Sequence, residues 1–307
     1  MKVHVFLLSA IAISLGCSRS PKDDSGPQTQ KDKAHASYQL ISRAQAGDAA
    51  VQAALGSAYL NGKGVAKDEV EAVRWFQKAA EQGNAEAQLD LGFCHYHGKG
   101  AEKNAAEAVK WFQKSSDRGD PLGSMMLGVC YIEGAGVTQD TVKGLNLVRK
   151  GAELGSENAQ GMLGVFYAEG YHVAKDEVEA VNWFRKAAYR GNAQAQMMLG
   201  ECYLNGTGVP KDGLEAVQWF RKAADQGQAK AQFYLGVCYK NGTGVAQDAV
   251  EAYAFLNLAA VTDNTARAER DSLEMTISRE EIAAGQRRTK ELQKEIEAKQ
   301  RSALGTR

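Results

Sequence analysis

The chain has 307 residues, 44% of them hydrophobic and 24% charged, a balance that supports a folded core and excludes wholesale disorder. Thirty-seven basic residues match thirty-seven acidic ones, so no net field gathers nucleic acid or holds the chain on a polybasic membrane surface. Thirty-two glycines stand against four prolines without collagen's every-third-residue rule, so glycine recurs for another reason.

At the amino end, Lys2 precedes an apolar stretch from Val3 to Leu15. About thirteen such residues are too few for a bilayer core that needs roughly 20, so residues 1–16 read as an export signal. Ser14-Leu15-Gly16-Cys17 resembles a bacterial lipobox, where cleavage precedes a cysteine that takes diacylglycerol, although Ser14 stands where leucine is usual. The resemblance implies lipidation at Cys17 and an exported, membrane-anchored lipoprotein facing the periplasm or cell surface. An ordinary signal peptide with a later cut is the alternative. Residues 17–37, rich in Ser, Pro, Lys, Asp and Gln, hold too little apolar content to fold and read as a flexible tether.

Residues 38–262 carry six units of 36 residues. Leu-Gly falls at 55–56, 91–92, 127–128, 163–164, 199–200 and 235–236, with no insertion between units. Gly-x-Gly-Val recurs at Gly62–Val65, Gly134–Val137, Gly206–Val209 and Gly242–Val245, and Trp-Phe at 75–76, 111–112, 183–184 and 219–220. Asp48, Asn84, Asp120, Ser156 and Asn192 follow a glycine and precede an Ala-rich run, the chemistry of a helix N-cap. A first helix, A, starts there and ends at the Gly-x-Gly turn. Asp68, Asp140, Asp176, Asp212 and Asp248 cap a second helix, B, with Glu71, Glu179, Glu215 and Glu251 at capping-box spacing. Such a hairpin cannot bury both faces alone, so stacking must stabilise it.

Ala-x-x-x-Leu-Gly-x-x-Tyr, Gly-x-Gly-Val-x-x-Asp and Glu-Ala-Val-x-Trp-Phe-x-Lys-Ala-Ala together resemble the Sel1-like repeat, a relative of the tetratricopeptide repeat. The resemblance covers about residues 47–260 and implies an all-α fold, a right-handed α-α superhelix of the solenoid type. Residues 263–307 read as a carboxy-terminal helical cap, with Ser278 and Glu281 as the capping box of a last helix over roughly 279–300.

The motifs that could carry chemistry have simpler readings. Cys94, Cys130, Cys202 and Cys238 share one helix A position, with Ala58 and Phe166 in the other repeats. Successive helices lie about 8–10 Å apart, beyond the roughly 7 Å that a disulfide spans, so these are expected to be buried free thiols. In Cys94-His95-x-His97, His95 takes the place of a repeat tyrosine and reads as core, His97 as surface. The Gly-x-Gly segments join helix to helix and are turns, not phosphate cradles. Repeat four carries His172 for the second glycine, which predicts a strained or differently bent loop. No nucleophile elbow and no His-Glu-x-x-His is present, so no catalytic residue, cofactor or metal site is expected.

By analogy with tetratricopeptide arrays, a partner-binding groove is expected at Leu89, Phe93, Tyr96 and His97 in repeat two and at Met125, Val129, Ile132 and Glu133 in repeat three. Repeat five supplies Met197, Glu201, Leu204 and Asn205, and repeat six Phe233, Val237, Lys240 and Asn241. The expected lining is apolar and Met-bearing, suited to gripping a peptide unless these residues pack between repeats. The function these features point to is a non-enzymatic scaffold or adaptor for a protein or peptide at the cell envelope. A binder of cell-wall fragments or other small ligands is the alternative, and nothing in the sequence supports a hydrolase.

Overall fold

The computed structural model describes residues 30–305 and the side chains of residues 38–302; the export signal and Cys17 lie outside them. All regular structure among the described residues is helical. The chain divides into two compact units, one running to Ala159 and one from Gln160 to Leu304.

The first unit opens with α1 (Gln30–Gln45) and continues through the hairpins α2 (Ala49–Asn61) with α3 (Glu69–Glu81), α4 (Ala85–His97) with α5 (Ala105–Asp117), and α6 (Pro121–Glu133) with α7 (Thr141–Glu153). Helix α8 (Glu157–Glu169) begins in the first unit and ends in the second. The second unit then contains α9 (Glu177–Tyr189), α10 (Ala193–Asn205) with α11 (Gly213–Asp225), and α12 (Ala229–Asn241) with α13 (Ala249–Ala259). It closes with α14 (Asn264–Glu274) and α15 (Arg279–Gly305).

The caps form where the side chains call for them. Asp48, Asn84, Asp120 and Asn192 accept from the N–H groups of Val51, Ala87, Gly123 and Ala195, and Ser156 Oγ accepts from Ala159. Ahead of α12 stands Gln228, which makes no side-chain cap bond. At the B helices only half of the expected capping box is made. Asp68, Asp176, Asp212 and Asp248 each accept from the glutamate N–H three residues on. The caps' own N–H groups donate to the carbonyls of Tyr59, Tyr167, Tyr203 and Tyr239, so the glutamate carboxylates are free for other partners, as in Glu71 with Arg74 at 3.0 Å. These backbone bonds tie each A–B loop to its A helix.

His172 keeps the bend of its glycine equivalents. Its φ of 61° matches the 67–74° of Gly64, Gly100, Gly136, Gly208 and Gly244, and it is the one non-glycine with positive φ among the described residues. The loop is therefore strained and not rerouted, because a Cβ in this region crowds its own backbone. The ring packs edge-on against Phe166, with centroids 5.8 Å apart.

Within each hairpin the Leu-Gly glycine of helix A receives the phenylalanine of helix B. A Cβ on Gly56 would lie 2.6 Å from the Phe76 ring, and one on Gly200 2.6 Å from Phe220; Gly92 and Gly164 meet Phe112 and Phe184 in the same way. The rings of Phe76, Phe112 and Phe220 are fully buried. Repeat three solves the contact with smaller groups. Val148 replaces the ring, and Gly128 and Gly144 bring the two helix backbones together. Repeat six seats Leu256 over Gly236. The tryptophans reach into the neighbouring hairpin: Trp111 shares a cluster with Phe76, Ala79 and Ala80, while Lys114 Nζ covers its outer face 3.7 Å from the ring centroid.

A row of buried glutamines locks one hairpin to the next. Gln52, Gln88 and Gln196 donate to the carbonyls of Ala44, Ala80 and Ala188 at 3.0, 3.1 and 3.1 Å. Each of these carbonyls lies in the last turn of the preceding helix and also accepts the N–H of the turn glycine that follows, Gly47, Gly83 or Gly191, so the glutamine adds a second bond from the next hairpin. In repeat three the polar contact is a pair of hydroxyls, Ser116 and Ser124, 2.9 Å apart.

The register runs one helix past the repeats at each end. Helix α1 ends 36 residues before α3 does, and Ala44 takes the Gln52 bond as Ala80 takes that of Gln88. The tether expected up to residue 37 thus ends earlier, with 30–37 already helical, because Leu40, Ile41 and Ala44 pack on Val51, Leu55 and Trp75 and anchor a helix of good helix formers. Helix α14 starts 35 residues after α12, in the place of a seventh A helix, with Asp263 as its cap. The Ser278–Glu281 box is made in both directions, at 2.8 and 3.2 Å, and α15 then runs past residue 300. It is held by Arg288 on Glu251 (2.6 Å) and Lys299 on Asp225 (2.7 Å).

Two stability measurements test this account. Replacing Gln196 by Leu should cost about 0.5–1.5 kcal/mol in urea unfolding, the net worth of one buried hydrogen bond. His172→Val should lower stability by about 1–2 kcal/mol, while His172→Gly should leave it unchanged or raise it.

Candidate functional site

The residues expected to line a groove all lie on the A helices. The structure divides the sixteen expected groove residues into three groups. Leu89, Phe93, Met125, Val129, Ile132 and Met197 are buried, with Met125 0% and Met197 1% exposed. Tyr96, Glu201, Leu204, Phe233, Val237 and Lys240 are half-buried. His97, Glu133, Asn205 and Asn241 are exposed.

The six buried residues correct the apolar, Met-bearing groove. They belong to the packed interior and offer no anchor to a peptide. Repeat six shows what happens to these positions. Phe233 packs against Ala259, Ala260 and Ala266, Val237 joins the cluster of Leu256 and Leu273, and Lys240 pairs with Glu269 at 2.7 Å. Helix α14, standing where a seventh A helix would stand, therefore covers the positions that the groove analogy left open. What remains open along the A-helix edge is polar. It comprises Glu86, His97 and Glu133 in the first unit, and Glu169, Gln194, Asn205, Lys230 and Asn241 in the second. Gln194 Oε1 accepts from Gln228 at 2.7 Å, so part of this polar row is already linked from one A helix to the next.

Near the carboxyl end of α4 the aromatic rings are ordered. Phe93 packs edge-on against Phe112 at 5.5 Å and stacks on His97, 6.1 Å away and 7° from parallel. Tyr96 meets the His97 ring edge-on at 5.1 Å, and its hydroxyl donates to Glu133 Oε2 at 3.1 Å, linking α4 to α6. Burial, aided by the Glu133 charge, pushes the Tyr96 hydroxyl well above its ordinary value, so it stays a neutral donor. Burial also lowers His97, with help from Lys99 and Lys103, which favours the uncharged ring. His95, in the tyrosine position, is half-buried, with Nδ1 3.4 Å from the Glu102 carbonyl.

Cys94, Cys130 and Cys238 are buried and Cys202 half-buried, in keeping with an apolar helix position. Burial raises the thiols from 9.0 to about 12 for Cys130 and about 11 for Cys202 and Cys238. They are thiols, not thiolates, near neutrality, and poor nucleophiles. Among the described residues no group of three or more His, Cys, Asp or Glu side chains could hold a metal ion. The glutamine row was missed in the sequence because each glutamine looks like ordinary helix surface; its 36-residue recurrence beside the Ala-rich run was the available signal.

The family model described as Sel1 repeat matches residues 49–84, 85–120, 121–156, 158–192, 193–228 and 229–260. A Sel1 repeat protein from Oxalobacter formigenes is 32% identical, over 74% of this chain and 96% of that one, with a TM-score of 0.62. A protective antigen of uropathogenic Escherichia coli strains is 29% identical over 86% of this chain and 73% of its own, with a TM-score of 0.42. A sel1 repeat protein from Klebsiella pneumoniae is 23% identical over 66% and 99%, with a TM-score of 0.44. No curated protein matches the chain.

Two outcomes separate interior from surface. Phe93→Ala should cost about 3–5 kcal/mol in chemical unfolding, whereas His97→Ala should stay within about 0.5 kcal/mol of the parent. The thiols add a pH dependence. Because folding raises their pKa, the stability they lend is complete below pH 9.0 and is lost as pH climbs through about 11 to 12. Unfolding midpoints should fall across that window, and less steeply in Cys130→Ala.

Proposed function

Because the chain belongs to the Sel1 repeat family, whose members are generally protein-interaction scaffolds, we propose that it holds a protein or peptide partner along its A-helix edge and does no chemistry of its own. One observation carries this reading: the exposed polar side chains are mounted on helices whose spacing is set by buried Gly–Phe contacts, so a partner meets a preorganised surface. Affinity then comes from hydrogen bonds and charge pairs at that edge, not from aliphatic anchors. We further propose a place at the bacterial cell envelope, through a diacylglyceryl group on Cys17, supported by the signal-like residues 1–16. Among the described residues no helix is long and apolar enough to cross a membrane.

A photo-reactive residue at His97, Glu133 or Asn205 should cross-link a partner in intact cells, while the same residue at Lys78 or Lys186 on the B helices should not. Equal cross-linking from both sets would overturn the assignment of the face. Cys17→Ser should move the protein from the membrane fraction to the soluble fraction; retention in the membrane would overturn the lipid anchor.

A further inference from the structure

We propose that Tyr96 and Glu133 form a subsite for a basic side chain, a lysine ammonium or an arginine guanidinium, presented by the partner. This rests on the reading that the A-helix edge takes a protein or peptide, and specifies one chemical group that it recognises.

The pair bridges two neighbouring A helices, α4 and α6, with the Tyr96 hydroxyl 3.1 Å from Glu133 Oε2. Glu133 is exposed and takes part in none of the ion pairs of the described residues. Lys99 and Lys103, on the loop after α4, are close enough to influence His97, yet neither forms an ion pair with this carboxylate among the described residues. Tyr96 itself is held edge-on to His97 and tilted over Phe112 at 6.3 Å, so the donor and its ring are fixed before any ligand arrives. A fixed aromatic ring beside a carboxylate suits a cation, which gains a charge-assisted hydrogen bond from one and quadrupole attraction from the other.

The second unit contains a tyrosine–glutamate pair of the same chemistry, with the order of the two helices reversed and its cation in place. Tyr234 on α12 donates to Glu201 Oε1 on α10. That same oxygen lies 3.0 Å from Lys230 Nζ, which stands 5.6 Å from the centre of the Tyr234 ring. There, a tyrosine–glutamate pair spanning adjacent A helices binds the chain's own ammonium group. At Tyr96–Glu133 the two partners are present and no lysine among the described residues completes them. The chemistry that the protein satisfies internally in one unit is offered outward in the other.

The test uses N-acetyl-arginine amide as the probe and N-acetyl-norleucine amide as its uncharged counterpart, followed by NMR titration of the labelled protein. The arginine amide should give saturable shifts centred on Tyr96 and Glu133, and the norleucine amide none. Glu133→Gln, with an unchanged unfolding midpoint, should weaken that binding roughly tenfold or more. Lys230→Met should free Glu201 and Tyr234 and add a second set of shifts there. The proposal is overturned if the arginine amide leaves Tyr96 and Glu133 unmoved, or if Glu133→Gln binds it as well as the parent. Cross-linking from the A-helix edge without arginine-amide binding overturns this subsite alone. Arginine-amide binding without such cross-linking overturns the peptide reading and leaves the subsite standing.

Discussion

The contact on which the rest depends is a phenylalanine ring pressed against a glycine with no side chain. In four of the six hairpins a methyl group on the A-helix glycine would fall inside the ring of the facing B helix. That contact sets how closely the two helices approach, and the approach sets where each A helix meets its neighbours. Leu-Gly and Trp-Phe are thus two halves of one joint, which is why they recur in step. Repeats three and six keep the close approach while changing the filler, Val148 with a second glycine in one and Leu256 in the other. The constraint is the missing volume on helix A; the aromatic is its commonest solution.

From that joint follow the other features. Hairpins of fixed thickness bring the last turn of one B helix under the next A helix, where the buried glutamines donate to its carbonyls. The same packing buries Leu89, Phe93 and Met125, with Phe93 edge-on against Phe112 of its own B helix. What stays exposed on those helices is a polar rim. On the proposed function, a rim made of glutamate, asparagine, histidine and lysine would select by hydrogen bonding and charge, and the aliphatic interior serves stability.

Much of this was legible in the chain itself. The 36-residue period, the Asp and Asn caps, the glycine turns and the Ser278–Glu281 box each have a local cause, and each stands where the residues place it. The groove lining was not legible in the same way. Position within a helix selects its residues, whereas burial at those positions depends on what packs over them, the facing Phe112 for Phe93 and α14 for Phe233 and Val237. Phe93 and Met125 look like offered anchors until the folded hairpin buries them. The end of the tether was misplaced for a related reason: residues 30–37 are polar, and they are helical because Leu40 and Ala44 downstream dock on the first repeat. His172 shows the converse, since the array holds the loop geometry firmly enough to force a histidine into glycine's conformation.

The joint can be tested directly by a double-mutant cycle on Gly200 and Phe220, with stability read from urea unfolding. Gly200→Ala alone should destabilise, because the added methyl meets the ring, and it should cost far less in the Phe220→Ala background, where the ring is gone. The account predicts a coupling energy of about 1–3 kcal/mol between the two sites. Strictly additive effects would show that glycine and ring do not set each other's position, and would contradict it.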